Sequence, residues 1–79
     1  MIKNLTIKNL KEIKNLIGDE DYTIEMLSLG SRKRIRIISK ESLICSYDID
    51  QLVENNYSFY VTTNANNKTC IMIKHREVK

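Results

Sequence analysis

The residues best suited to chemistry in this chain are the run Arg32-Lys33-Arg34-Ile35-Arg36. Side chains of an extended strand alternate, so Arg32, Arg34 and Arg36 would project from one face and Lys33, Ile35 and Ile37 from the other. Same-face neighbours then stand about 6.6 Å apart, close to the phosphate spacing along one nucleic-acid strand. Three guanidiniums in such a row could track a phosphate backbone or grip carboxylates on an acidic protein surface. The competing reading is a solvated edge strand whose charges discourage pairing with another sheet. Lys8 and Lys11, on the wet face of the first helix, form a second basic candidate. Nucleic-acid readers set exposed rings beside their basic residues. Tyr60, between Ser58 and Thr62, is the best candidate for such a ring, whereas Tyr57 and Phe59 share a face with Val61 and are expected in the core.

Other chemistries find fewer parts. A nucleophile needs a base that is itself oriented, and the one histidine is His75, near the C-terminus. Cys70 and His75 are five positions apart, hence expected on opposite faces of one strand, while Cys45 with His75 stays open. Asp19-Glu20-Asp21 lacks the spaced oxygen ligands and fixed glycine of a calcium loop and reads as a solvated link. Two scattered cysteines and one histidine do not supply a tetrahedral metal set. The two glycines are isolated, so no phosphate-cradling loop occurs. The expectation is a chain with no catalytic residues, no cofactor and no metal. Both cysteines lie in apolar stretches and are read as reduced core or strand residues, with a cross-strand disulfide or redox pair as the alternative.

The elements that must position these groups follow from periodicity. Ile7, Leu10, Ile13 and Ile17, with Leu16, recur at helical spacing, with Thr6 or Asn4 as N-cap and Gly18 as terminator. Tyr22–Leu29 and Lys33–Ser39 alternate around Gly30-Ser31 and predict a hairpin. Leu43–Tyr47, after a Lys40-Glu41-Ser42 turn, predicts a short third strand. Asp48, with Gln51 three residues on, resembles a capping box opening a brief helix whose inner face is Ile49, Leu52 and Val53 and which closes at Asn55-Asn56. Residues 57–62 and 69–73 flank an Asn64-Ala65-Asn66-Asn67 turn and predict a second hairpin. The order α-β-β-(β)-α-β-β, with mostly short connections, calls for an antiparallel sheet of four to five strands under an N-terminal helix and one short helix: a small two-layer α+β sandwich.

Size and composition set the outer bounds. Seventy-nine residues make one domain, 1–79, whose apolar side chains are largely committed to a single core, leaving little to line a deep substrate cavity. The net charge of +3 is modest for a dedicated nucleic-acid binder. No apolar run approaches the roughly 20 residues of a membrane span, and residues 1–17 lack a signal peptide's apolar region. A cytoplasmic protein with no membrane partner is expected. Twelve isoleucines, nine lysines and eight asparagines are the usage of AT-rich genomes, which suggests an AT-rich bacterium or its phage.

The lysine- and isoleucine-rich first helix ending in Lys14-Asn15, then Asp21-Tyr22-Thr23-Ile24, then Arg34-Ile35-Arg36-Ile37-Ile38, resembles small phage-encoded anti-CRISPR proteins of AT-rich Gram-positive hosts. The likeness covers about the first half of the chain. It implies a non-enzymatic inhibitor that occupies a surface of a host protein or ribonucleoprotein complex. Several such proteins are acidic DNA mimics, and the basic charge here departs from that pattern. The expected contact residues are therefore Arg32, Lys33, Arg34, Arg36, Lys8, Lys11 and Tyr60, with direct nucleic-acid binding through strand 32–36 as the alternative. The oligomeric state stays open.

Overall fold

Thr6 sits in extended backbone, and its side chain accepts from the Asn9 N–H while Asn9 Oδ1 accepts from the Thr6 N–H at 2.9 Å. This reciprocal cap satisfies donors that the first turn would otherwise leave orphaned. It opens α1 (Ile7–Ile17), which Gly18 ends at φ 76°, a left-handed value that costs glycine little. The computed structural model describes residues 2–18, 20–41 and 43–77. Asp19 of the acidic trio and Ser42 of the predicted turn lie outside them. The remaining elements are β1 (Ile2–Lys3), β2 (Tyr22–Leu29), β3 (Arg32–Ser39), α2 (Ser46–Glu54), β4 (Tyr57–Thr63) and β5 (Thr69–Glu77).

All strand pairings are antiparallel. The β2–β3 loop is Gly30-Ser31 alone, with positive φ at Gly30, the first-position requirement of a type II′ hairpin. β5 is central. β3 pairs with its residues 70–73 along one edge, and β4 pairs with residues 69–76 along the other. β1 and β4 both pair with Arg76, so β1 must continue the β3 edge. The layout is β2–β3–β5–β4, with β1 extending the line of β3.

One sheet face carries Tyr22, Ile24, Ile35, Ile37, Ile71, Ile73 and Tyr57, all buried, and both helices pack there through Ile13 and Leu52. Each such isoleucine removes apolar surface worth roughly 1.5–3 kcal/mol. Two tyrosine hydroxyls tie the layers together. Tyr22 of β2 donates to Asp48 Oδ2 of α2 at 2.6 Å and accepts from the Cys45 N–H at 3.3 Å. Tyr57 of β4 donates to Glu12 Oε1 of α1 at 2.6 Å, with the Arg76 guanidinium 5.3 Å from its ring centre and 3.5 Å from Glu12.

The α+β sandwich and antiparallel sheet are as the sequence predicts; the details differ, beginning with β1, a short strand that the sequence does not predict. Leu43–Tyr47 forms no strand: residues 43–45 are irregular and Ser46 already belongs to α2. Asp48 is not the N-cap; Cys45 holds that position without a side-chain bond, and Asp48 lies in the first turn, engaged by Tyr22. Ile7 and Val53, expected inward, are 59% and 57% exposed, because each helix presents a narrower apolar stripe than its residue types suggest. Val61, on the face of Tyr57 and Phe59, is likewise 54% exposed, beyond the reach of the helical layer.

Burial, then the hydrogen bond to Asp48, pushes the Tyr22 hydroxyl from 10.0 up to about 12. Burial, then the bond to Glu12, does the same to Tyr57. A raised folded-state value means the folded chain holds these protons more tightly, so the stabilisation is complete below pH 10 and lost as pH rises through about 12. Urea unfolding is expected to show stability falling across that window. A Tyr22→Phe/Tyr57→Phe variant should be weaker at neutral pH and lose less on alkalinisation; equal slopes in both proteins would contradict the tethers.

Candidate binding face of the sheet

The sheet face away from the helices carries the basic strand. On β3 the alternation holds: Ile35, Ile37 and Ser39 are buried, while Arg32 is exposed and Arg34, Arg36 and Ile38 are half-buried on the other side. Strand register then fixes who stands beside them. Across the sheet run the rows Thr23–Ile38–Cys70–Thr62 and Glu25–Arg36–Met72–Tyr60, followed by Leu27–Arg34 and Leu29–Arg32. Tyr60 is 46% exposed and Leu29 57%.

β5 is bulged near Lys74. Phe59 pairs with Ile73, but Ser58 pairs with His75, so Lys74 is the extra residue. Beyond the bulge the alternation is reset. His75 shares the open face with Cys70, since their partners Ser58 and Thr62 lie on one side of β4, and Arg76 turns inward to Tyr57 and Glu12. The expectation that Cys70 and His75 occupy opposite faces is thereby corrected; they nonetheless stand four strand positions apart along β4, too far for a proton relay.

The guanidiniums are not equivalent. Arg36 donates through Nε to Glu25 Oε1 at 2.8 Å and also through its terminal nitrogen, a forked ion pair with its cross-strand neighbour. Arg34 donates to the Lys74 carbonyl at 3.0 Å, anchoring its side chain along the bulge. Arg32, at the hairpin end, is exposed. The Lys74 ammonium lies 5.8 Å from the Tyr60 ring centre, in cation–π range. The three arginines, Lys74 and Tyr60 thus form one basic surface interleaved with half-buried Met72, Leu27 and Ile38, with Glu25 neutralising its middle and Glu77 at the far end of β5.

The other candidates lie elsewhere. Lys33 points to the helix side and donates to Ser28 Oγ at 3.2 Å. Lys8 and Lys11 are exposed on α1, in the opposite layer. Lys74, Met72, Leu27 and Leu29 were not singled out in the sequence. Leu27 and Leu29 reach Arg34 and Arg32 through the β2–β3 register, whereas the place of Met72 and Lys74 beside the arginines needs the β3–β5 register, which joins residues far apart in the chain.

A concavity lies on the helix side: an open cleft of about 470 Å³ lined by Tyr22, Ser39, Cys45 and Asp48 among others. Cys45, expected within an apolar strand, is exposed there, whereas Cys70 is buried; both are free thiols. The sheet separates Cys45 from His75, and Asp48 already accepts from Tyr22. Among the described residues no three His, Cys, Asp or Glu side chains gather as a metal site, and no helix is long and apolar enough to cross a membrane.

Searched against family models, curated proteins and solved structures, the chain matches none.

Arg36 is held by Glu25 in partly exposed surroundings, so a double-mutant cycle with Glu25→Gln and Arg36→Gln should yield a coupling of about 0.2–1 kcal/mol that shrinks in molar salt. Zero coupling would place Arg36 with Arg32 as a charge free to meet a partner.

Proposed function

We propose that this chain is a non-enzymatic binding protein that lays the helix-free face of its sheet on an acidic, partly apolar surface of a larger protein complex. The carrying observation is the juxtaposition of Arg32, Arg34, Lys74 and Tyr60 with Met72 and Leu27 on one uncovered face. Arginine, tyrosine and methionine are the types enriched where protein interfaces concentrate their binding energy. A rigid sheet that already fixes Arg34 and Tyr60 has less side-chain entropy to lose on association. The biological setting is the one implied by the resemblance of the first half of the chain: an inhibitor carried by a phage or mobile element, occupying a surface of a host-defence complex. No catalytic step is invoked, since Cys45 and His75 are divided by the sheet.

Direct nucleic-acid binding is favoured by the same basic face but fits it less well. A stacking platform needs a free ring surface, and one side of Tyr60 is occupied by Lys74. A phosphate ladder needs three available guanidiniums, and Arg36 is committed to Glu25.

The test immobilises the chain and offers it lysate of an AT-rich, CRISPR-bearing Gram-positive bacterium, with and without nuclease treatment. Wild type is expected to retain a stoichiometric protein complex after nuclease, and Arg32→Glu/Arg34→Glu to weaken retention about tenfold or more. Capture abolished by nuclease would transfer the function to nucleic acid. Absence of a stoichiometric partner would overturn the proposal.

A further inference from the structure

β4 is an edge strand that lacks the usual protection against pairing. Among the described residues it pairs only with β5. Its sequence, Tyr57-Ser58-Phe59-Tyr60-Val61-Thr62-Thr63, contains no charge and no proline, the two commonest devices that blunt an edge. β2, at the opposite edge, carries Glu25. The composition of β4 is β-branched and aromatic, well suited to a further ladder.

The turn after β4 reveals which backbone groups face outward. The Asn64 N–H donates to the Lys68 carbonyl at 3.0 Å, and the Asn67 N–H to the Asn64 carbonyl at 3.0 Å, with Asn67 at φ 61°. This is a three-residue hairpin loop built on a type I turn followed by a left-handed residue. Asn64 and Lys68 are therefore a hydrogen-bonded pair. Such pairs alternate along an antiparallel ladder, so Thr62 with Cys70 and Tyr60 with Met72 are the next ones inward. Phe59, Val61 and Thr63 consequently aim their N–H and C=O groups away from β5, toward the free edge. Their side chains lie on the helix side, where Val61 is 54% exposed; Val53, on the helix packed over this strand, is 57% exposed.

We infer that two copies of the chain associate through their β4 edges, antiparallel about a two-fold axis at Val61. Pairing Val61 with the partner's Val61 places Phe59 opposite the partner's Thr63. Every outward donor of these residues then meets an outward acceptor in one register. An uncharged strand meets itself without the like-charge conflict that would oppose self-pairing. The symmetry also brings the exposed Val61 side chains of the two copies together, as an isologous interface requires. This surface is distinct from the basic face, which the dimer would present twice on one continuous sheet.

The experiment is sedimentation equilibrium of the purified chain from micromolar to millimolar concentration, with native-state amide exchange on the same samples. Wild type is expected to approach twice the 9.3 kDa chain mass and to dissociate on dilution, with the amides of Phe59, Val61 and Thr63 slowing as the dimer forms. Val61→Lys and Val61→Glu, both at an exposed position, should each remain folded by circular dichroism and lose the dimer. Mixed in equal amounts, they should recover it through opposite charges at the axis. Wild type at 9.3 kDa throughout, a Val61→Lys protein that still dimerises, or a mixture that stays monomeric would overturn the assignment. Should either variant unfold, the concentration dependence of the wild-type amides decides alone: no slowing at 59, 61 and 63 contradicts it.

Discussion

The strand β3 has to satisfy two environments at once, and the rest of the molecule is arranged around that constraint. Ile35 and Ile37 are fully buried between sheet and helices, which commits their face to the core. Because strand side chains alternate with a period of two, the same commitment drives Arg34 and Arg36 to the opposite face. A one-residue slip would bury two guanidiniums and expose two isoleucines. The register is thus held by the cost of desolvating charge as much as by apolar burial. In this fold the basic face and the core have a common origin in a single strand.

That coupling explains how a chain this small can hold a polar surface in a defined shape. Glu25 stands directly across from Arg36 because the two-residue Gly30-Ser31 loop fixes the β2–β3 register. Arg34 is anchored to the Lys74 carbonyl at the β5 bulge, and the same bulge swings Arg76 inward to the Tyr57–Glu12 pair. One irregularity therefore serves both layers: it shapes the basic face and lets β5 supply the cation that balances Glu12. The tyrosine tethers lock helices to strands at two separate corners, through hydroxyls whose alternative partner is water.

Local features were legible in the residues. Thr6, Gly18 and the spacing of Leu10 and Ile13 define α1, and Gly30-Ser31 defines the first hairpin, because caps and tight turns depend on neighbours in sequence. What escaped depends on distant partners. Leu43–Tyr47 is a short apolar run of the kind that strand and non-strand share, and Tyr22, more than twenty residues away, decided it by binding Cys45 and Asp48. The bulge at Lys74 is silent in the pattern Ile71-Met72-Ile73-Lys74, so simple alternation misplaced His75 relative to Cys70. Exposure of Val53 follows from the narrow stripe that α2 buries and that of Val61 from the reach of the helical layer, properties of the assembled layers that no single segment carries.

The central claim is that the open sheet face, and not the lysine-bearing helix face on the other layer, meets the partner. The most direct measurement replaces Tyr60, and separately Lys11, with a photo-crosslinking amino acid in the full chain and irradiates each in cells of an AT-rich, CRISPR-bearing Gram-positive bacterium. Position 60 is expected to yield a discrete covalent adduct with a host protein, and position 11 none. An adduct formed from position 11 but not from position 60 would contradict the account.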